Sequence, residues 1–171
     1  MKQAILLTGT PGTGKSTIAN MLKAKGFPII DISTYVKKEG IYLEYDHERD
    51  CVVVDEDLLQ KKLIEAIYAN DSNFPLIIDG HILVLPPEYV LKCFVLRCSI
   101  KTLRLRLSQR NYSQPKIEEN VEAEIMEILL SDALEMYGKE KVSIIYTDKT
   151  PEQTFLEIMD EIEKSLGVNS N

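Results

Sequence analysis

Short apolar runs alternate along the chain with longer stretches of helical period, the pattern of a parallel sheet covered by helices. The spacing predicts strands at 4–8, 28–32, 74–79, 92–97 and 143–147, and helices at 15–25, 56–69, 99–110, 116–137 and 151–166. Ile117, Val121, Ile125, Ile128 and Leu129 share one face, which predicts a single long helix over 116–137. The run Leu103-Arg-Leu-Arg-Leu107 alternates as a strand would, but its length and the Ile100, Leu103, Leu107 spacing favour a helix. Thr150, Pro151 and Gln153 form a helix-start signal, with an N-cap, a first-turn proline and a capping-box glutamine. No internal repeat or low-complexity tract appears, and only 168–171 read as frayed.

One segment adds chemistry to this pattern. Gly9-Thr-Pro-Gly-Thr-Gly-Lys-Ser16 lies between the first strand and the first helix, the context a phosphate loop requires. Its glycines let the backbone turn tightly and aim its N–H groups inward, forming an anion nest at a helix N-terminus. Lys15 is placed for the β- and γ-phosphates, the Ser16 hydroxyl for Mg²⁺, and Thr17 for the α-phosphate side. The loop implies a bound nucleoside triphosphate and leaves the acceptor open.

A second acid follows a buried strand in Leu76-Ile-Ile-Asp79-Gly80-His81. In a doubly wound sheet the strand C-termini converge on the loop's crevice, so Asp79 is placed to hold Mg²⁺ through water. The alternative is a helix-capping or turn aspartate, natural before glycine. His81 either contacts a transferred phosphoryl group, or orients a water, or is a hydrogen-bonded structural residue. Arg106 and Arg110, four apart, project from one helix face beside the polar break Asn111-Tyr-Ser-Gln-Pro115. They suit a lid that closes over phosphates, with Arg97 and Arg104 as further candidates; the alternative is a solvated basic face.

Composition narrows the class of partner. At 171 residues the chain reads as one domain, 44% hydrophobic and 27% charged. A net charge of −7 argues against a broad grip on nucleic acid and fits a small-molecule enzyme or one with a basic partner. Cys51, Cys93 and Cys98 leave one thiol over in any disulfide scheme, and none stands at zinc spacing. Buried free thiols and a reducing compartment follow. The first apolar run is too short for a signal peptide, and none approaches the roughly 20 residues of a membrane span. With no basic localisation run, a cytoplasmic location is expected.

Six segments in order carry a resemblance: Gly9–Thr17, Tyr45-Asp-His-Glu-Arg-Asp-Cys51, Val54-Asp-Glu-Asp57, Asp79-Gly-His81, Phe94-Val-Leu-Arg97 and Arg106-Leu-Ser-Gln-Arg110-Asn-Tyr112. Over essentially the whole chain they resemble the small adenylate kinase family whose eukaryotic members are nuclear and serve in ribosome maturation. The resemblance implies one P-loop kinase domain over 1–171, an α/β fold with a five-stranded parallel sheet of order 2-3-1-4-5. A nucleoside-monophosphate insert at 31–54 and a short lid at 108–118 come with it. It implies ATP:AMP phosphotransfer of broad specificity with Mg²⁺, ATPase activity, and aid to small-subunit rRNA 3′ end maturation. A basic small-subunit ribosomal protein, and with it a pre-ribosomal particle, would be the partner. Gly12, Gly14, Lys15, Ser16 and Thr17 would hold ATP, Arg106 would stack near adenine and Arg110 would contact phosphates. The backbone near Lys149 would border the adenine pocket.

The chain also departs from the pattern. Lys37 stands where the family carries arginine in the insert's helix, offering the acceptor phosphate a point charge instead of a fork. The Asp-Gly-x-Pro-Arg signature of ordinary adenylate kinases is absent, so Asp79-Gly80-His81 lacks the arginine that clamps AMP. From Glu39 to Asp57 there are eight acids against Arg49 alone. Such a surface suits a Lys/Arg-rich protein segment more than an anionic nucleotide, or else serves solubility.

Overall fold

The computed structural model describes residues 1–168. Its elements are β1 (Ala4–Thr8), α1 (Lys15–Lys25), β2 (Ile29–Asp31), α2 (Ile32–Glu39), β3 (Tyr42–Asp46), β4 (Cys51–Val54) and α3 (Glu56–Ala69). After them come β5 (Leu76–Asp79), β6 (Val90–Arg97), α4 (Ile100–Gln109), α5 (Gln114–Ile125), α6 (Ile128–Lys141), β7 (Val142–Tyr146) and α7 (Pro151–Ser165). Strands β2-β5-β1-β6-β7 form one parallel sheet, and β3-β4 a separate hairpin. Numbered among the five sheet strands alone, this is the order 2-3-1-4-5.

Alternation along the strands divides the core. Leu6, Ile78 and Val95 face Leu59, Leu63 and Ile67 of α3 and Ala133 and Tyr137 of α6. The intervening residues Ile5, Leu7, Ile77, Phe94 and Leu96 meet Ile18 and Leu22 of α1 and Ile158 and Ile162 of α7. Period-2 side chains buried on both faces explain why the central strands β1 and β5 read as continuous apolar runs. A third cluster joins Leu103 and Leu107 of α4 to Ile117 and Val121 of α5.

Four helices begin on side-chain caps. Asp31 accepts from Thr34 N (2.8 Å), Asp55 from Leu58 N (3.0 Å), and Ser99 from Thr102 N (3.2 Å). Thr150 and Gln153 form the anticipated capping box, at 3.2 and 3.1 Å. The cap at Asp31 ends β2 one residue before the predicted 32 and starts α2, which the apolar spacing did not reveal. The β3-β4 hairpin likewise had no signal in the pattern.

The predicted helix over 116–137 is two helices. Glu127 adopts a left-handed conformation (φ 55°), breaking the run between α5 and α6. Buried positions pass from Ile117, Val121 and Glu124 to Leu130, Ala133 and Tyr137. Continuing the first stripe would have buried position 128, so it shifts by two residues, roughly 200° at 100° per residue. Of the predicted apolar face, Ile125 and Ile128 are exposed. Arg97 holds the break, its Nε donating to Glu124 Oε1 (2.8 Å), Nη1 to Glu127 Oε1 (2.8 Å) and Nη2 to the Glu124 carbonyl (3.0 Å).

Cys93 and Cys98 are buried free thiols, pushed by burial to about 12 and about 11, whereas Cys51 is free but exposed on the hairpin. No helix among the described residues is long and apolar enough to cross a membrane. Of the segment expected to fray, 169–171 lie outside the described residues.

Candidate active site

Residues 9–14 turn from the end of β1 into α1, and Gly9, Gly12 and Gly14 all have positive φ (152°, 95° and 101°). Gly14 is the N-cap in left-handed conformation, which costs an L-residue about 1–2 kcal/mol. At Gly12 a Cβ would lie 2.9 Å from Leu103 Cδ1 and 3.0 Å from Leu107 Cδ2, so glycine also lets α4 rest against the loop. The Thr13 hydroxyl donates to the Thr10 carbonyl (2.7 Å), closing the loop on itself. No side chain caps α1 and no acid stands in its first turn. Its orphan N–H groups and positive dipole end are therefore left for an anion.

On one side the loop borders a cleft of about 320 Å³. Gly14 and Thr17, Arg106 and Arg110 of the α4 end, and Lys149 and Pro151 after β7 contribute to its walls. Arg106 is committed to protein oxygens, donating through Nη1 to the Thr147 hydroxyl (2.9 Å) and through Nη2 to the Thr147 carbonyl (2.8 Å). Arg110 is exposed at the α4 C-terminus, at the mouth of this cleft. Arg97 and Arg104 serve elsewhere, Arg97 at the helix break and Arg104 in a fork to Glu118 of α5 (Nη2–Oε2 3.0 Å). Both are structural ties and not part of a closing basic face.

On the other side a cleft of about 220 Å³ is lined by Ser16, Asn20, Lys23, Asp31 and Asp79. Asp79 ends β5 and is buried, and its register partner across the sheet is Asp31 at the end of β2. Burial raises the Asp79 carboxyl above its ordinary value; Lys15 lowers it and Asp31 adds to the rise. A hydroxyl and two carboxylates are hard oxygen donors of the kind Mg²⁺ takes, and this cation keeps waters and needs few protein ligands. The donor set therefore fits the ion. Sequence reasoning passed over Asp31 because its strand is only three residues long and its acid reads equally as a helix cap.

His81 lines a third cleft, of about 440 Å³, with Glu56, Asp132 and Glu135. The protein packed around its ring and then the Lys15 charge hold its imidazole below the ordinary value, although the residue keeps an exposed surface. Lys37 stands exposed in the last turn of α2 and lines none of these three clefts. The segment 31–54 consists of the end of β2, α2 and the hairpin, while 108–118 spans the last turn of α4, a short link and the start of α5.

A family profile described as an AAA domain matches residues 5–127. The protein named "Putative adenylate kinase" in Methanococcus maripaludis is 40% identical over 163 residues, covering 91% of this chain and 86% of its own length. An "Adenylate kinase isoenzyme 6 homolog" of Caenorhabditis elegans is 36% identical over 148 residues, covering 85% and 80%. Among solved structures, an unliganded sugar kinase from a Janibacter species aligns over 100% of both chains with a TM-score of 0.62 and 17% identity. Shikimate kinase from Bacteroides thetaiotaomicron aligns over 94% of this chain and 98% of its own, with a TM-score of 0.59 and 17% identity. At that identity the likeness is one of fold.

Proposed function

The chain belongs to the small adenylate kinase family of the archaeal and isoenzyme 6 type, and on that premise we propose that it is an Mg²⁺-dependent nucleoside monophosphate kinase. It transfers the γ-phosphoryl group of ATP to AMP or another monophosphate, with ATPase activity in the same site. The observation that carries this reading is the glycine loop set between a base-sized cleft at Arg106 and an acid-bearing cleft at Asp79.

The loop N–H groups and the α1 N-terminus bind the phosphates, and Lys15 takes the charge that develops on the transferred group. Arg110 closes from the 108–118 lid, the base lies against Arg106, and Thr17 and the backbone near Lys149 border it. Ser16 and Asp79 would hold Mg²⁺, which would supply neutralisation of charge on the phosphate oxygens. The acceptor approaches over the 31–54 insert, its phosphate toward Lys37, and His81 orients the attacking oxygen. Catalysis is positioning and electrostatics, with no covalent intermediate. ADP formation from ATP, measured with and without AMP, CMP or dAMP, tests this. Strong stimulation by a monophosphate is expected; no stimulation by any of them would overturn it.

A specific observation favours a second reading. Glu44, Glu48 and Asp50 are exposed on the hairpin segment, and the His81 cleft carries Glu56, Asp132 and Glu135 with no lysine or arginine in its lining. An ATP-hydrolysing switch acting on a basic small-subunit ribosomal protein, within a pre-ribosomal particle in the cytoplasm, fits that charge. Replacing Glu44, Asp46 and Glu48 by Gln/Asn is then expected to weaken binding of such a protein while sparing ATP. Unchanged partner affinity would sink it.

A further inference from the structure

Three walls of the donor cleft meet at one hydroxyl. Thr147 follows β7 and is buried, its N–H donating to the Arg97 carbonyl (2.8 Å), so its backbone extends the sheet. A hydroxyl offers one hydrogen and two acceptor lone pairs. Here the hydrogen goes to the Thr13 carbonyl in the phosphate loop (2.6 Å), with the Arg97 carbonyl a longer alternative at 3.3 Å. One lone pair accepts Arg106 Nη1 of α4 (2.9 Å). Arg106 Nη2 donates to the Thr147 carbonyl (2.8 Å), and Nη1 also stands 3.4 Å from the Gly12 carbonyl. Next in the chain, Asp148 accepts from the Ser99 N–H (2.9 Å) and hydroxyl (2.8 Å), tying the start of α4 to the same loop.

This network decides what Arg106 can do. Both terminal nitrogens of its guanidinium are tied to protein oxygens, which holds the group against a swing toward phosphates and leaves its planar face as the part a base in the cleft can meet. A held cationic plane favours a broad π-surface, and a purine offers more overlap than a pyrimidine.

We propose that Thr147 is a positioning residue which sets donor-base selectivity, by holding the Arg106 plane parallel to the base. The proposal rests on the reading of this cleft as the donor nucleotide site. It does not require turnover, and equilibrium binding tests it whether or not phosphotransfer is found.

Affinities for ADP and CDP, with Mg²⁺, are measured by calorimetry on the full chain. Wild type is expected to favour ADP. Thr147→Val, of the same shape, leaves the Thr13 carbonyl and Arg106 Nη1 without their partner. It is expected to weaken ADP about tenfold while changing CDP less than about threefold, since one well-placed stacking contact is at stake. Thr147→Ser keeps the hydroxyl and is expected to restore selectivity. Arg106→Leu is expected to lose the same preference, and adding Thr147→Val to it is expected to cost no more. Arg106→Leu also keeps the test open should Thr147→Val fail to fold. A wild type without preference overturns the proposal, as does an Arg106→Leu variant that keeps it. An equal loss of ADP and CDP affinity in Thr147→Val, or no rescue by serine, assigns Thr147 a merely structural role and overturns it as well.

Discussion

Arg97 Nε stands 2.8 Å from Glu124 Oε1, and this largely buried pair sits where α5 gives way to α6. Glu124 is 4% exposed, and Arg97 donates both to its carboxylate and to its backbone carbonyl. Removing one partner of a buried pair costs about 3–5 kcal/mol, because the survivor stays buried and unpaired. Glu124→Ala is expected to approach the lower end of that range, since Glu127 still reaches Arg97. Glu127→Gln, at the exposed end, is expected to cost under about 1 kcal/mol. Urea unfolding of both variants checks the difference.

Gly14 and Gly12 separate backbone strain from crowding. A Cβ at Gly14 meets nothing closer than the Thr147 hydroxyl at 3.8 Å, so Gly14→Ala pays only for its left-handed conformation, about 1–2 kcal/mol. Gly12→Ala adds contacts with Leu103 and Leu107 and is expected to be worse in both stability and nucleotide affinity. Thermal melts with and without ADP measure both.

Lys15→Ala is expected to lower ADP formation by at least about 10²–10³, the usual loss for a charge-stabilising donor. Full retention of activity would remove the phosphate loop from the chemistry.

Asp148 predicts a pH dependence. Burial pushes its carboxyl up, but hydrogen bonds from Thr102 and Ser99 and the Arg106 charge bring it below its ordinary value of 3.8. A depressed carboxyl contributes stability that is present above the unfolded value and lost as pH falls through the folded one. The stability gap between wild type and Asp148→Asn is expected to be full at pH 7 and to close below pH 3.8. Denaturant titrations at stepped pH follow the gap.

Some elements were legible to the residue. Spacing alone placed β1, α1 and α3 at their observed bounds, because an apolar run or stripe with a glycine or acid at its border is local information. The capping box at Thr150 was equally local. The break at Glu127 was not, since no glycine or proline marks it and the apolar spacing runs through it. The side chain that ties it together is Arg97, 30 residues away along the chain. The hairpin escaped for a related reason: most of its β3 side chains are exposed, so they carry no alternation to read.

The chain by itself determined the phosphate loop, its place between strand and helix, and the acid at the end of β5, since each depends on residues adjacent in sequence. Resemblance added the sheet order. Only the tertiary structure decided which arginines line the cleft beside the glycine loop, since Arg97 and Arg104 have carboxylate partners that no local pattern reveals. It also brought Asp31 beside Asp79 and Thr147 beside Arg106, across 48 and 41 residues of chain. The physical reason is that a parallel sheet gathers its strand ends on one edge, where distant residues share hydrogen bonds and charge.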